Sequence, residues 1–228
     1  RDDKTSIENG PLKDRILSEV ITEYGPSVTG SIRIEGPFPL LVKILDAEDV
    51  LSVQVHPDAQ ACRKMGKGKP KTECWYILEA EPGACIYKGF KPGTTPEDFE
   101  KAIENGKTAD CLDKIPVKKG ECHFLPSGTP HAIGPGLLIA EIQQPSDTTY
   151  RVFDWNRVDK KTGKGRQLHI EEALQSVNYE VTADKLSVTV TGRLVDAAEF
   201  RVDKYTSQTQ PPEAGTMQVC VFTEGSGS

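Results

Sequence analysis

From Pro39 to about Phe153 the chain is written in short runs of β-forming residues broken by turn residues: LLVKILDA, LSVQVH, ECWYIL, ACIYKGF, CHFLPSG, AIGPG, LLIAEIQ and TYRVFDW. Many short strands without long helices between them predict a β sandwich or barrel. One helix interrupts the series over DFEKAIEN, where Thr95 is a good N-cap, Pro96 fits the first helical position, Asp98 sits three residues after the cap and Gly106 supplies a stop. Ahead of the strands, Leu12 to Tyr24 reads as a helix closed by Gly25-Pro26 and packed on the outside of something larger. After Trp155 come a polar stretch, RVDKKTGKGRQ, a helical segment, LHIEEALQSV, and two further strand-like runs, KLSVTVTG and MQVCVF. The predicted organisation is an N-terminal helical or extended flank over 1–35, a barrel over 36–157, a linker and helix over 158–180, and the opening of a second, truncated β domain over 181–228.

Strand residues alternate faces, so Ser52, Gln54 and His56 share one face of LSVQVH while Leu51, Val53 and Val55 take the other. Lys71 and Glu73 share a face in KTECWYIL, and an acid entering an apolar strand needs an exposed strand end or a cation to receive it. In GECHFLPSGTPHAIG, a tight Pro/Gly turn places His131 at the start of the next strand. Two imidazoles and a carboxylate from three strands, His56, Glu73 and His131, suit a catalytic divalent metal with an open position, and Gln54 can add a carbonyl oxygen. A lone strand histidine is more often a satisfied core or surface residue, and His123 and His169 are read in that way.

Composition narrows the partner. The 228 residues carry a formal charge of −6, 36% hydrophobic and 27% charged residues, the profile of a folded chain. An isoelectric point of about 5.4 without a dominant basic cluster argues against nucleic acid. No apolar run approaches the roughly 20 residues of a membrane span. Six cysteines without a CxxC pair fit reduced thiols in a cytoplasmic setting. GKGKPK, residues 66–71, lacks the P-loop pattern and reads as a solvated loop, with a lid over the metal as the lesser alternative.

The G-x5-P-x-G-x2-H stretch matches the second motif of the cupin barrels. QVHP, KTECWYIL, PSGTPHAIG and EIQQPSDTTYRVFDWNR, in that order, resemble class I mannose-6-phosphate isomerases in their short bacterial form, over about Asn9 to Val177. The resemblance implies a mainly β cupin (jelly-roll) barrel and one zinc ion held by Gln54, His56, Glu73 and His131. It further implies Lys43 and Ser52 as phosphate contacts and Arg151 as a catalytic residue. Its activity would be the interconversion of mannose 6-phosphate and fructose 6-phosphate through an enediol.

Plainer roles stand beside these. Lys43 could reach solvent, Ser52 could be a neutral strand residue, and Arg151, on one face with Thr149 and Phe153, could pair with Asp147 or Asp154. Glu141 in LLIAEIQQ could line the substrate pocket or form a structural ion pair. For the base that lifts the C2 proton, Lys71 is the first candidate, because metal charge and burial lower an amine's pKa; Glu141 or a metal-bound hydroxide are the others. An iron-dependent cupin oxygenase with the same triad, and a sugar-phosphate-binding module without turnover, are the competing functions. The chain opens on Arg1 and closes on EGSGS. Against the family it is expected to be an internal piece, without the Trp-Gly-Gly region ahead of NGPL and without the rest of a second, smaller barrel.

Overall fold

Alternation of apolar residues decides how the strands stack. In the computed structural model, which describes residues 5–34, 38–180, 187–188, 191–206, 215 and 217–224, ten short strands form two antiparallel five-stranded sheets and two more form a hairpin. In chain order they are β1 (Leu41–Ala47), β2 (Val53–Val55), β3 (Glu73–Ala80), β4 (Cys85–Phe90), β5 (Leu112–Pro116), β6 (Glu121–Leu125), β7 (His131–Ile133), β8 (Leu137–Gln143), β9 (Tyr150–Phe153), β10 (Ser187–Val188), β11 (Gly192–Asp196) and β12 (Arg201–Lys204). One sheet runs β1-β8-β3-β6-β10, the other β5-β4-β7-β2-β9, and β11 pairs with β12. The helices are α1 (Leu17–Tyr24), α2 (Pro26–Thr29), α3 (Ala59–Met65), α4 (Pro96–Glu104) and α5 (Ile170–Ser176). Residues 1–39 with 205–228 form one compact unit and residues 40–204 another.

Within residues 40–204, side chains from both sheets meet in one apolar cluster, among them Trp75, Ile77, Leu125 and Ile139 from the first and Ile86 and Ile133 from the second. The outer face of the second sheet, Val53, Val55, Ala132 and Val152, packs with Phe99 of α4 and Ala173 of α5. The outer face of the first, Cys74 and Cys122, packs with Val195 and Phe200 of the β11–β12 hairpin. Where an outer face is covered in this way, as on β3, β6 and β7, the residues on the other face of the strand enter the interior, whether apolar or charged.

The helix predicted over DFEKAIEN forms with both halves of a capping box: Thr95 Oγ1 accepts from the Asp98 N–H at 3.1 Å, and Asp98 accepts from the Thr95 N–H at 3.1 Å. A Thr95→Ala change is expected to cost about 1 kcal/mol, read as a shift of the urea midpoint with unchanged slope.

Several expectations need correction. The first helix begins at Leu17 rather than Leu12, because the residues before it spend their backbone groups on a hairpin-like loop: Ile7 N–H to Arg15 O at 2.9 Å and Asp14 N–H to Ile7 O at 2.7 Å. Helix α3 and strand β5 were not among the predicted elements. KLSVTVTG lies partly outside the described residues, with Ser187–Val188 forming β10 on β6. MQVCVF, residues 217–222, makes no strand.

Candidate metal centre

The end of β2 and the starts of β3 and β7 bring the cluster together. Gln54 of β2 sits directly opposite His131 of β7 on one side and Arg151 of β9 on the other. Glu73 opens β3, opposite Leu125 of β6 and Gln143 of β8. The Pro126–Thr129 turn is fixed by Gly128, whose φ of +88° favours glycine and where a Cβ would fall 2.9 Å from Asn178 Cβ. The Gly128 N–H donates to the His56 carbonyl at 2.7 Å, so the turn that delivers His131 is tied to the residue carrying the other imidazole.

His56, Glu73 and His131 are buried, with potential ligand atoms all within 4.8 Å of one another. Each histidine Nε2 lies 3.3 Å from a Glu73 oxygen. His56 Nδ1 meets the Thr148 carbonyl at 3.0 Å and His131 Nδ1 the Thr129 carbonyl at 2.8 Å. A carbonyl only accepts, so Nδ1 carries the hydrogen, and in the neutral ring Nε2 then presents its lone pair to the cluster. Both Nε2 atoms and both Glu73 oxygens are buried and lack a hydrogen bond; the Lys71 ammonium 2.9 Å from Glu73 Oε2 compensates the carboxylate in part, but it leaves the two Nε2 atoms and Oε1 without a partner, a costly arrangement unless a further cation sits among them. The residues therefore fit a divalent metal held by two neutral imidazoles and a carboxylate.

Electrostatics agree. Burial pushes the His131 imidazole down to about 3, which keeps it neutral at physiological pH. Burial alone would raise the Glu73 carboxyl, but His56, His131 and Lys71 outweigh it and hold the group well below the carboxylate range. The Lys71 Nζ lies 2.9 Å from Glu73 Oε2, with both side chains buried.

The remaining predicted residues fall around this core. Lys43 Nζ donates to Glu141 Oε1 at 2.8 Å and Gln143 Oε1 at 2.6 Å, so its ammonium is held by two acceptors while the side chain stays 35% exposed. Glu141 also receives Trp75 Nε1 at 3.3 Å, and the Trp75 ring stands edge-on to His131 with centroids 5.3 Å apart. Ser52, buried, accepts from Arg151 Nε at 3.2 Å, and Arg151 Nη1 donates to the Gln167 carbonyl at 3.0 Å. Phe153 does not follow Arg151 to the interior: the register shifts between Val53 and Gln54, and Phe153 joins the outer apolar cluster.

Asp154 is bonded by Arg157 and Arg166 instead of Arg151, with Arg157 Nη2 at 2.6 Å and Arg166 Nη2 at 2.5 Å. The Arg166 hydrogen bond, against a smaller opposing effect of burial and with Arg157 adding to it, brings Asp154 down to about 2. A carboxyl depressed in the folded state stabilises above its unfolded pKa and loses that contribution as pH falls toward the folded value. Asp154→Asn is therefore expected to cost about 1–2 kcal/mol at neutral pH, after screening of the half-exposed Arg166. Urea titrations of both proteins should converge between pH 4 and pH 2.

His123 is buried in β6 and His169 precedes α5, its Nδ1 accepting from the Arg151 N–H at 3.3 Å. Neither joins the cluster. Sequence reasoning missed Trp75, Gln143 and the carbonyls of Thr129 and Thr148; only the side chains leave a signal in the residue string.

A two-sheet barrel with a two-His, one-carboxylate cluster in its interior defines a cupin with a site suited to a metal ion. The family model for the phosphomannose isomerase type I catalytic domain matches residues 2–81. Mannose-6-phosphate isomerase ManA of Bacillus subtilis is 39% identical over 208 residues, covering 87% of this chain and 64% of its own length. The putative mannose-6-phosphate isomerase YvyI of the same organism is 33% identical over 235 residues, covering 98% and 72%. The crystal structure of a mannose 6-phosphate isomerase from Bacillus subtilis superposes with a TM-score of 0.74 at 32% identity, covering 87% of this chain and 64% of that one. The chain belongs to the type I phosphomannose isomerase family. It spans 52% to 64% of the length of the first three curated relatives it matches.

Proposed function

We propose that the chain carries the catalytic centre of a zinc-dependent aldose–ketose isomerase that interconverts mannose 6-phosphate and fructose 6-phosphate. The observation that carries this reading is the convergence of buried ligand atoms from His56, Glu73 and His131, with both Nε2 atoms lacking a hydrogen-bond partner, in a chain of this family. Gln54, opposite His131 on the adjoining strand, is the fourth ligand in this reading. A bound zinc ion supplies Lewis-acid stabilisation of negative charge developing on sugar oxygen.

The chain's own groups bind the substrate and move its proton. Lys43 and Ser52 receive the phosphate: the Ser52 hydroxyl accepts from Arg151 and still has its hydrogen to donate. Glu141, with one oxygen on Lys43 and the other on Trp75, lines the sugar site and orients that ammonium. Lys71 is the base in this reading: once Glu73 is compensated by a bound metal ion and the Lys71 ammonium has given up its proton, the neutral amine would take the proton from C2 and return one at C1, so that the enediol passes between aldose and ketose with no net proton change. Arg151, fixed by Ser52 Oγ and the Gln167 carbonyl, places a permanent positive charge where the enediol oxygens become negative. Arg151→Ala is expected to lower kcat by about 100-fold or more with a smaller change in KM.

The deciding experiment is a coupled assay of fructose 6-phosphate isomerisation on the purified chain before and after chelation and zinc return. Turnover that survives complete metal removal sinks the mechanism. Dioxygen consumption with bound iron would favour an oxygenase, and sugar phosphate bound without conversion a binding module. No helix among the described residues is long and apolar enough to cross a membrane, and the partner in this reading is a small phosphorylated sugar.

A further inference from the structure

The Lys-rich stretch 66–71 is laced to the segment that orients His56. The Ser146 side chain, in a residue only 5% exposed, donates its hydroxyl to the Lys69 carbonyl at 3.0 Å and accepts the Thr148 N–H at 3.2 Å. The Thr148 hydroxyl accepts the Lys69 N–H at 2.9 Å, and the Thr148 carbonyl is the acceptor for His56 Nδ1. Gly68, at φ +83°, lets the two segments meet: a Cβ there would lie 2.9 Å from the Tyr150 hydroxyl and 3.1 Å from Thr148 Cγ2. Two residues beyond Lys69, Lys71 reaches Glu73.

A backbone carbonyl can hold an imidazole at one angle only if its own peptide is held. Thr148 is restrained at its N–H by Ser146 and at its side chain by Lys69. The same pair of residues grips both the N–H and the carbonyl of Lys69, in the loop that presents Lys71. We infer that Ser146 and Thr148 are positioning residues of the metal centre, a clasp that sets the tilt of His56 and seats Lys71 against Glu73 together. This inference rests on the metal-site reading above.

Zinc-loaded protein mixed with excess chromogenic chelator tests it through the release rate, with no need for turnover. Ser146→Ala and Thr148→Val are each expected to release zinc about 10-fold faster, and the double variant little faster than either alone, since both hold one carbonyl. Thr148→Ser keeps the hydroxyl and should restore the parent rate. Lys67→Ala, which breaks only the exposed Lys67–Glu172 pair of the same loop, should leave the rate unchanged. Thermal unfolding of metal-free and loaded forms accompanies each measurement. A merely structural clasp lowers both midpoints equally and leaves release at the parent rate, and that result overturns the inference. Parent-like release from both clasp variants, in a protein that loses zinc on His131→Ala, rejects the clasp and keeps the metal site. A parent chain that binds no zinc rejects both.

Discussion

A His131→Ala protein is expected to retain no stoichiometric zinc after gel filtration and to show no isomerase turnover above background. His131 supplies one of three side chains whose ligand atoms converge within 4.8 Å, and its loss leaves two. Losing an outer hydrogen-bond partner costs a metal site about 10- to 100-fold in affinity, and losing a ligand outright should cost more. The fold should survive, because the substitution also removes a buried Nε2 that has no hydrogen-bond partner in the metal-free protein. Elemental analysis and the coupled assay, with circular dichroism as the folding check, decide the matter. Full zinc content in His131→Ala would place the metal elsewhere.

The second large effect concerns stability without metal. Glu73→Gln keeps the shape of the side chain but strands the Lys71 ammonium in a site where the two side chains are 6% and 0% exposed. Breaking a buried pair from one side costs about 3–5 kcal/mol, against about 0–1 kcal/mol for a surface pair. Urea unfolding of metal-free protein should show the larger loss, and adding Lys71→Met should recover most of it. A loss below about 1 kcal/mol, the surface-pair range, would mean that Lys71 finds water or another acceptor when Glu73 is neutral. In that case the ion pair cannot be what holds Glu73 ionised.

How far the residues announce this site depends on what kind of group is involved. His56, Glu73 and His131 are legible because strand alternation and the turn before His131 put them on interior faces, and the family motifs name the same three. Helix α4 is legible because Thr95, Pro96 and Asp98 spell a capping box. Helix α3 is not: it has one side-chain cap, Asp58, and one buried residue, Ala61, too little periodicity to stand out. Strand β5, LDKIP, ends on a proline and alternates over only five residues. The partners of Arg151 are not legible in the sequence, for a different reason. Ser52 and Gln167 are brought beside it by strand pairing and by the loop after β9, whereas Asp154, nearer in sequence, is taken by Arg157 and Arg166. Clasp residues such as Ser146 leave no trace in the string, because their hydroxyls meet backbone groups of residues distant in sequence, and no residue type marks such a partner.

The β11–β12 hairpin has a consequence for divergence within the family. Strand β3 carries Glu73 inward and Cys74 outward, and Cys74 shares its cluster with Cys122, Val195 and Phe200. A strand hemmed in on both sides cannot yield to an added methylene without moving, and movement at residue 74 is movement of the carboxylate beside it. Side-chain volume at 74 and 122 is thus bound to volume at 195 and 200 as a nearly fixed sum. Among descendants of this sequence, a larger residue at 74 should be found with a smaller one at 195 or 200.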